Sequence, residues 1–317
     1  MKEGRTGGYY DHEPHRYPYA YCARTLSRMA RGARGNGRRH ANSCLDPNIT
    51  LDFMDRNEIA TSILSISTPS VHFGGLTEGR DKAREVNEET AELVARNSDR
   101  FGFFATVTLP DVEGAIAEAE YALDVLKADG IVLMTNVDGV YLGDARFDPL
   151  LAALDRRHAV VFCHPGHLPG PTADGIPPFV ADFLLDTVRA AINLSKVDAH
   201  QRFPNLSIIL SHGGGFIPYA ASRIARACAP GLSDDIGLQR LRRFYFDTAL
   251  TSSPFGMPSL LAFADMDRIV FGSDLPYAHD ARATAFTHML DQYPMQPAHR
   301  VAVARGNAQR LFPRLSR

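Results

Sequence analysis

The feature that most constrains this chain is a regular alternation of short apolar runs with longer amphipathic segments, which starts near Ile49 and continues to the end. The apolar runs have the length of strands, and the segments between them repeat their apolar residues at the helical period. Alternation of this kind is produced by right-handed βαβ units, which build a parallel sheet. The sequence therefore predicts an α/β fold.

Seven strands can be assigned after residue 48, with amphipathic helices between them. They are predicted at residues 61–67, 101–108, 130–135, 159–163, 208–210, 243–248 and 268–272. A closed (β/α)8 TIM-type barrel has one strand more. The missing strand is expected to come first, and the candidate for it is GGYYDHEPH at residues 7–15.

Residues 1–48 form an atypical N-terminal segment that is rich in glycine, tyrosine and arginine, whereas residues 49–317 form the predicted barrel. The segment has few large aliphatic side chains and can bury little surface to offset its ordering entropy. We therefore expect much of it to be mobile, and to replace or distort the first strand. We refer to it below as the head.

Composition excludes several classes of function. The formal net charge of -2 argues against nucleic-acid binding. No run approaches the roughly 18 apolar residues of a membrane span, and the N-terminus lacks the apolar core of a signal peptide, so the cytoplasm is the expected location. The four cysteines are scattered without CxxC spacing, which predicts neither a zinc knuckle nor a disulfide framework.

The stretch LSIILSHGGGFIPYAASRI, at residues 206–224, combines a buried strand, a histidine, three glycines and a helix. His212 is expected at the carboxyl end of the strand, where catalytic groups collect in a βα barrel. The glycine turn lacks side-chain bulk, so we expect a ligand or metal to be able to approach its backbone closely. A lone histidine at this place could equally be a simple strand cap.

Two other strand ends carry residues of metal-ligand type, namely His164 in VVFCHPG and Asp274 in RIVFGSDLP. Like His212, each is followed at once by a chain-breaking Pro or Gly turn. The three strand ends should converge on one barrel mouth. Imidazole and carboxylate are ligands of zinc, manganese or iron in sites that keep one position open, so a metal site is predicted here.

The segments HPG, SHGGGFIPYAASRI and DRIVFGSDLPYA resemble the metal-dependent amidohydrolase superfamily, and within it the decarboxylase branch typified by aminocarboxymuconate-semialdehyde decarboxylase. MDRNEIATSILSISTP, NEETAELVARNSDRFGFFATVTLPD and YFDTALTSSP are similar to 6-methylsalicylate and other ortho-hydroxybenzoate decarboxylases. The resemblance covers about residues 49–312. It implies a (β/α)8 barrel of the metal-dependent hydrolase type that removes carbon dioxide non-oxidatively from an aromatic or unsaturated acid, such as a salicylate-type acid.

The resemblance also implies roles for individual residues. His164 corresponds to a metal-binding histidine, Asp274 to an aspartate that binds metal and handles a proton, and His212 to an acid/base or water-activating group beside the metal. The implied ion is divalent, with zinc expected and manganese as the alternative. Arg223 corresponds to an arginine that reaches the site of a neighbouring subunit in a homodimer and binds the substrate carboxylate, which suits its planar fork. The alternative for Arg223 is an ordinary surface helix residue.

The head departs from this pattern, because the branch normally begins with a strand that ends in H-x-H or E-x-H. Glu13 and His15 have E-x-H spacing and His12 precedes them, but Pro14 disfavours a central strand. Either DHEPH reaches the metal or the site lacks two ligands. A lactone or amide hydrolase on the same barrel, and a metal-deficient inactive homologue acting as a binding protein, therefore remain as alternatives.

The other histidines give weaker signals. Those expected in loops at the barrel rim, where they could touch a substrate, are His72, His167 and His279, and those expected at the surface are His40, His158, His200, His288 and His299.

Overall fold

The computed structural model describes residues 23–24, 47–68, 70–71, 75–166, 168–170 and 173–315. The candidate ligands His12, Glu13 and His15 lie outside these ranges, as do His72 and His167.

The main sheet has eight strands, and every recorded pairing between neighbours is parallel. In spatial order they are β1 (Ala23–Arg24), β2 (Ser62–Leu64), β3 (Phe101–Ala105), β4 (Gly130–Met134), β7 (Val160–His164), β8 (Ser207–Leu210), β9 (Tyr245–Asp247) and β10 (Ile269–Val270). A small antiparallel hairpin, β5 (Asn136–Val137) and β6 (Val140–Tyr141), follows β4. Each main strand lies beside its neighbour in the chain, which is the order of the predicted (β/α)8 TIM-type barrel.

The strand beside β2 lies in the head, as expected, but at Ala23–Arg24, whereas residues 7–15, the candidate for it, lie outside the described ranges. The parallel partner of β2 is β1, with Ala23 opposite Ile63 and Arg24 opposite Leu64. Backbone hydrogen bonds pair two strands whatever their side chains are. A strand of two residues in an arginine-rich segment therefore shows no apolar pattern from which it could be predicted.

Helices cover the intervals between the strands. They are α1 (Pro47–Arg56), α2 (Leu76–Arg96), α3 (Val112–Asp124), α4 (Asp148–Asp155), α5 (Asp182–Lys196), α6 (Ala199–Arg202), α7 (Ile217–Cys228), α8 (Asp234–Arg242), α9 (Gly256–Phe263), α10 (Asp280–Gln292), α11 (Pro297–Val301) and α12 (Asn307–Leu311). The boundaries follow local chemistry. For example, α3 begins after Asp111, whose carboxylate accepts the Gly114 backbone N–H at 3.1 Å and pairs with Arg80.

The barrel interior is filled by one cluster of buried apolar side chains, to which six of the strands contribute. These residues include Ile63, Phe104, Val132, Phe162, Ile209 and Val270, joined by Phe312 from the C-terminal segment. The Phe104 and Phe162 rings stack with centroids 5.5 Å apart. Alternate residues of the same strands, such as Val161 and Cys163, belong to the larger core. The strands are thus buried on both faces, which explains their continuous apolar runs.

Two side chains outside the barrel interior bear on the sequence predictions. Cys163 is buried as a free thiol. The expectation that His200 lies at the surface is wrong, because its ring is buried 4.5 Å from that of Phe244 and burial lowers its pKa to about 3. None of the helices in the described ranges combines the length and apolar character that crossing a membrane requires.

The packing of α8 on α7 gives a test of the fold. An added Cβ at Gly237 of α8 would lie 1.9 Å from the backbone carbonyl oxygen of Ala225 on α7, and a backbone atom cannot rotate away. We expect Gly237→Ala to lower the free energy of unfolding by about 1–3 kcal/mol in urea denaturation, as overpacking does. Gly306→Ala is the control, because its Cβ would meet nothing closer than 3.5 Å. Equal stability of the two variants would contradict the close approach of α7 and α8.

Candidate active site

Three side chains converge at the carboxyl ends of β7, β8 and β10. His164 is the last residue of β7, His212 follows β8 after one residue, and Asp274 follows β10 after a short turn. One ligand atom from each lies within 4.8 Å of the other two. The structure thus brings together the three residues that the sequence proposed for one mouth, in an arrangement that could hold a metal ion.

The ring of His164 is fixed on several sides. Its Nδ1 lies 3.0 Å from the carbonyl oxygen of Pro165, so Nδ1 carries the proton in this contact and Nε2 keeps its lone pair. The rings of Phe162 and Phe183 pack against it at centroid distances of 6.1 and 6.5 Å. Burial lowers the pKa of His164 to about 4, with a smaller contribution from His212. The imidazole is therefore neutral at pH 7, as a metal ligand must be.

His212 faces Asp274, with 3.7 Å between its Nε2 and Oδ2 of the aspartate. Burial acts to lower the pKa of His212, but the Asp274 carboxylate outweighs it and the net shift is upward. The Nδ1 of His212 is buried without a hydrogen-bond partner among the described residues. An unpaired buried nitrogen is costly, so Nδ1 of His212 lies ready to form a hydrogen bond or a metal bond that the described residues do not supply.

The backbone at His212 and Asp274 adopts the left-handed conformation, with φ values of 55° and 59°. Residues other than glycine seldom occupy this region, and such conformations cluster at functional sites. The serine before Asp274 holds its turn, because Ser273 Oγ accepts the Leu275 backbone N–H at 3.3 Å. Both side chains are therefore aimed by strained turns.

The glycines after His212 pack closely against other parts of the chain. All three have positive φ, and an added Cβ would lie 2.8 Å from the Phe246 ring at Gly214 and 2.4 Å from the Leu184 carbonyl oxygen at Gly215. Other parts of the chain therefore occupy the positions that side chains at Gly214 and Gly215 would take. The glycines are needed so that β9 and α5 can pack against the turn.

Asp247, the last residue of β9, is a buried carboxylate that the sequence analysis did not assign. Its Oδ1 accepts backbone N–H groups from Gly213 at 3.3 Å and Ala249 at 3.1 Å. Burial raises its pKa to about 6, and the charge of His212 opposes that shift. A signal was present, because FYFDTAL ends an apolar strand in an acid as the Asp274 strand does.

Further buried polar side chains follow the strands at this end of the barrel. They are Ser65 and Ser67 after β2, Thr106 and Thr108 after β3, Thr135 and Asn136 after β4, Ser211 after β8, Thr248 after β9 and Ser273 after β10. The mouth is therefore polar, whereas the barrel interior beneath it is apolar.

Two other candidates are exposed and do not belong to the cluster of three. Arg223 is exposed on α7, and His279 is exposed where α10 begins.

Comparison with known proteins assigns the family. The amidohydrolase family model matches residues 15–314, a range that includes His15 but not Glu13 or His12. The 6-methylsalicylic acid decarboxylase of Penicillium expansum is 38% identical over 277 residues, which cover 83% of this chain and 85% of that protein. The 2-amino-3-carboxymuconate-6-semialdehyde decarboxylase of Dictyostelium discoideum is 25% identical over 248 residues, covering 74% and 68%.

Solved structures agree with this assignment. A crystal structure described as amidohydrolase II has a TM-score of 0.83 and 26% identity, covering 93% of this chain and 99% of that one. The dihydroxybenzoic acid decarboxylase of Polaromonas sp. JS666, solved with manganese and the inhibitor 2-nitroresorcinol, shares the fold with a TM-score of 0.74 and 23% identity, covering 94% and 96%. The resemblance identified in the sequence is confirmed, and the chain belongs to the amidohydrolase family.

Proposed function

We propose that this protein is a metal-dependent, non-oxidative decarboxylase of an aromatic acid of the 2-hydroxybenzoate type. The observation that carries the proposal is the convergence of His164, His212 and Asp274 at one barrel mouth, with ligand atoms within 4.8 Å. The decarboxylases among its relatives support the choice of reaction.

The donor set fits a divalent metal. His164 presents a neutral imidazole whose Nδ1 is occupied, and Asp274 has no cationic partner other than His212 among the ion pairs recorded in the described ranges. We propose that His164 and Asp274 hold the ion with His212 beside it. Zinc suits imidazole nitrogen and carboxylate oxygen ligands in a site with an open position, and manganese, which the Polaromonas enzyme holds, is the alternative. When bound, the metal would polarise the substrate's carboxylate or neighbouring oxygen and stabilise developing negative charge.

Decarboxylation requires one proton at the ring carbon that loses its carboxylate. The carbon–carboxylate bond breaks, its electron pair stays with the ring, carbon dioxide leaves and the carbon takes up a proton. The Asp274 carboxylate stabilises the protonated imidazole of His212, so the pair retains a proton to higher pH than an isolated imidazole. We propose that Asp274 or His212 delivers that proton as a general acid.

We propose that the head completes the metal site through Glu13 and His15, with His12 beside them. The E-x-H spacing supports this assignment, since alternation along an extended chain places residues two apart on one side.

We also propose that the protein is a homodimer in which Arg223 serves the partner's site. On α7, Tyr219 is 86% exposed and Arg223 follows it by one turn on the same side, while Phe216 is exposed just before the helix. Exposed aromatic side chains beside an arginine are typical of protein interfaces.

The metal site is tested with His164→Ala. We expect bound zinc or manganese to fall to traces and decarboxylation of 6-methylsalicylate or 2,6-dihydroxybenzoate to fall by more than about 100-fold, because a direct ligand is lost. His288→Ala, at an exposed position of α10, is the matched control and should keep both metal and activity.

The type of reaction is tested separately. In heavy water the wild-type product should carry one deuterium at the former carboxylate position. Turnover of lactones or amides without decarboxylation would favour the hydrolase, and a wild-type protein without metal or turnover would favour the binding protein.

The head is tested by replacing His12, Glu13 and His15 together by alanine. We expect both bound metal and decarboxylation to decrease, because the ion would lose carboxylate and imidazole ligands. Elemental analysis and product assays on the same preparations give the comparison. Unchanged metal and unchanged activity would show that the head contributes no ligand.

The role of Arg223 is tested with Arg223→Ala against Arg226→Ala, an exposed neighbour on the same helix that pairs with Asp234. We expect only the first to lower kcat/KM, by about 10- to 100-fold, since a hydrogen bond to a charged group contributes about 1.5–3 kcal/mol. Bound metal should not change. A wild-type protein that sediments as a monomer at micromolar concentration would contradict the action of Arg223 across an interface.

A further inference from the structure

Asp186 on α5 is a fully buried carboxylate whose recorded partners are all neutral. Its Oδ1 accepts from the side-chain amide of Asn136 at 2.9 Å, and its Oδ2 accepts the Gly166 backbone N–H at 2.9 Å and the Thr135 hydroxyl. No lysine or arginine forms an ion pair with it among the residues that the structure describes. Burying a carboxylate without a counter-charge is costly, so its position calls for a role beyond packing.

The contact with Gly166 leads directly to the metal-ligand cluster. The N–H of Gly166 and the carbonyl of Pro165 belong to one planar peptide group. Asp186 holds the N–H end of this plane, with Thr135 Oγ1 also 3.2 Å from the nitrogen. The carbonyl end accepts Nδ1 of His164 at 3.0 Å. Whatever fixes the N–H therefore fixes the direction of the carbonyl, and with it the imidazole ring.

A second connection leads from Asp186 toward the surface. The Tyr141 hydroxyl of the β5–β6 hairpin interacts with Asp186, and Nη1 of Arg189 lies 3.4 Å from the same hydroxyl oxygen. Burial, reinforced by Asp186, raises the pKa of Tyr141 to about 12, so this hydroxyl keeps its proton and stays a donor. The buried carboxylate thus accepts hydrogen bonds from Asn136, Gly166 and Thr135, and the group beside it is a neutral hydroxyl.

We propose that Asp186 is a positioning residue for the metal site, acting through the Pro165–Gly166 peptide to set the tautomer and orientation of His164. Metal-bound histidines commonly donate their second nitrogen to a carboxylate or carbonyl. In this chain a peptide plane lies between the histidine and the carboxylate. The proposal rests on the proposed function, because it takes His164 as a metal ligand.

The test compares Asp186→Asn with the wild type in the full-length chain. Asparagine keeps the shape of the side chain, but one carboxylate oxygen becomes an NH2 group that only donates. The side chain can then no longer accept from Asn136 at one end and from Gly166 and Thr135 at the other. We expect the affinity for Mn²⁺ to fall by about 10- to 100-fold, as for other outer groups that orient a ligand. In the metal-free protein, ¹⁵N NMR should show the His164 ring change from the Nδ1–H tautomer to a mixture, with His164→Ala assigning the signal.

Two further variants separate positioning from folding. Asp182→Asn makes the same change of side chain in the first turn of the same helix, so it should match the wild type in affinity and tautomer. Thr135→Val removes one hydroxyl next to both Gly166 and Asp186, and should shift both readouts in the same direction but less. If Asp186→Asn does not fold, the test is the His164 tautomer in Thr135→Val. A shift toward the mixture supports the proposal, and an unchanged tautomer refutes it.

A folded Asp186→Asn protein with wild-type Mn²⁺ affinity and an unchanged His164 tautomer would overturn the proposal and leave the proposed function intact. If instead the wild type neither binds Mn²⁺ nor releases carbon dioxide, the proposed function fails. The tautomer then still tests the coupling, because a change in Asp186→Asn supports it and no change refutes it.

Discussion

The candidate site depends on the register of the parallel strands. In the ladder from β4 to β9, Met134 lies opposite His164, Cys163 opposite Leu210 and Leu210 opposite Phe246. Successive side chains of a strand point to opposite faces, so a slip of one residue between β7 and β8 would turn His164 away from the mouth. Backbone pairing therefore decides which polar residues meet, before any contact between them can form.

Beyond the last paired residues of the strands, the conformation of the turns sets the direction of the side chains of His212 and Asp274. A left-handed conformation costs a non-glycine residue roughly 1–2 kcal/mol, and His212 and Asp274 both adopt it. Neighbouring polar groups offset this cost. Asp247 accepts the backbone N–H of Gly213, directly after His212, and Ser273 accepts that of Leu275, directly after Asp274. Each of the two turns is thus held by a hydrogen bond from its backbone to a nearby side chain.

This division explains which parts of the structure could be predicted from the sequence. The strands and the residues ending them were predictable, because burial on both faces leaves uninterrupted apolar runs and the chain must turn where each run ends. The pairing of β1 was not, since two residues among arginines carry no periodicity. The burial of His200 was not either, because the ring that covers it belongs to Phe244, far along the chain.

Asp186 shows the same limit most clearly, because its partners Thr135 and Asn136 lie about 50 positions away in the sequence. In an amphipathic helix such as α5, an aspartate normally indicates the solvent face. Only the fold reveals that this one points inward. Buried polar networks are in general invisible to patterns of hydrophobicity, since each member is satisfied by residues that only the tertiary structure brings close.

Among the residues that the structure describes, three carboxylates at or beside the mouth have different surroundings. Asp186 and Asp247 are almost completely buried, and the first is saturated by neutral donors while the second accepts two backbone N–H groups. The side chain of Asp274 remains 14% exposed and faces an imidazole across 3.7 Å. Asp274 is therefore the carboxylate of the three that an incoming acid or metal can reach. Their environments therefore separate chemically identical groups: the two buried carboxylates hold backbone N–H groups in place, and Asp274 is left for the chemistry that we propose.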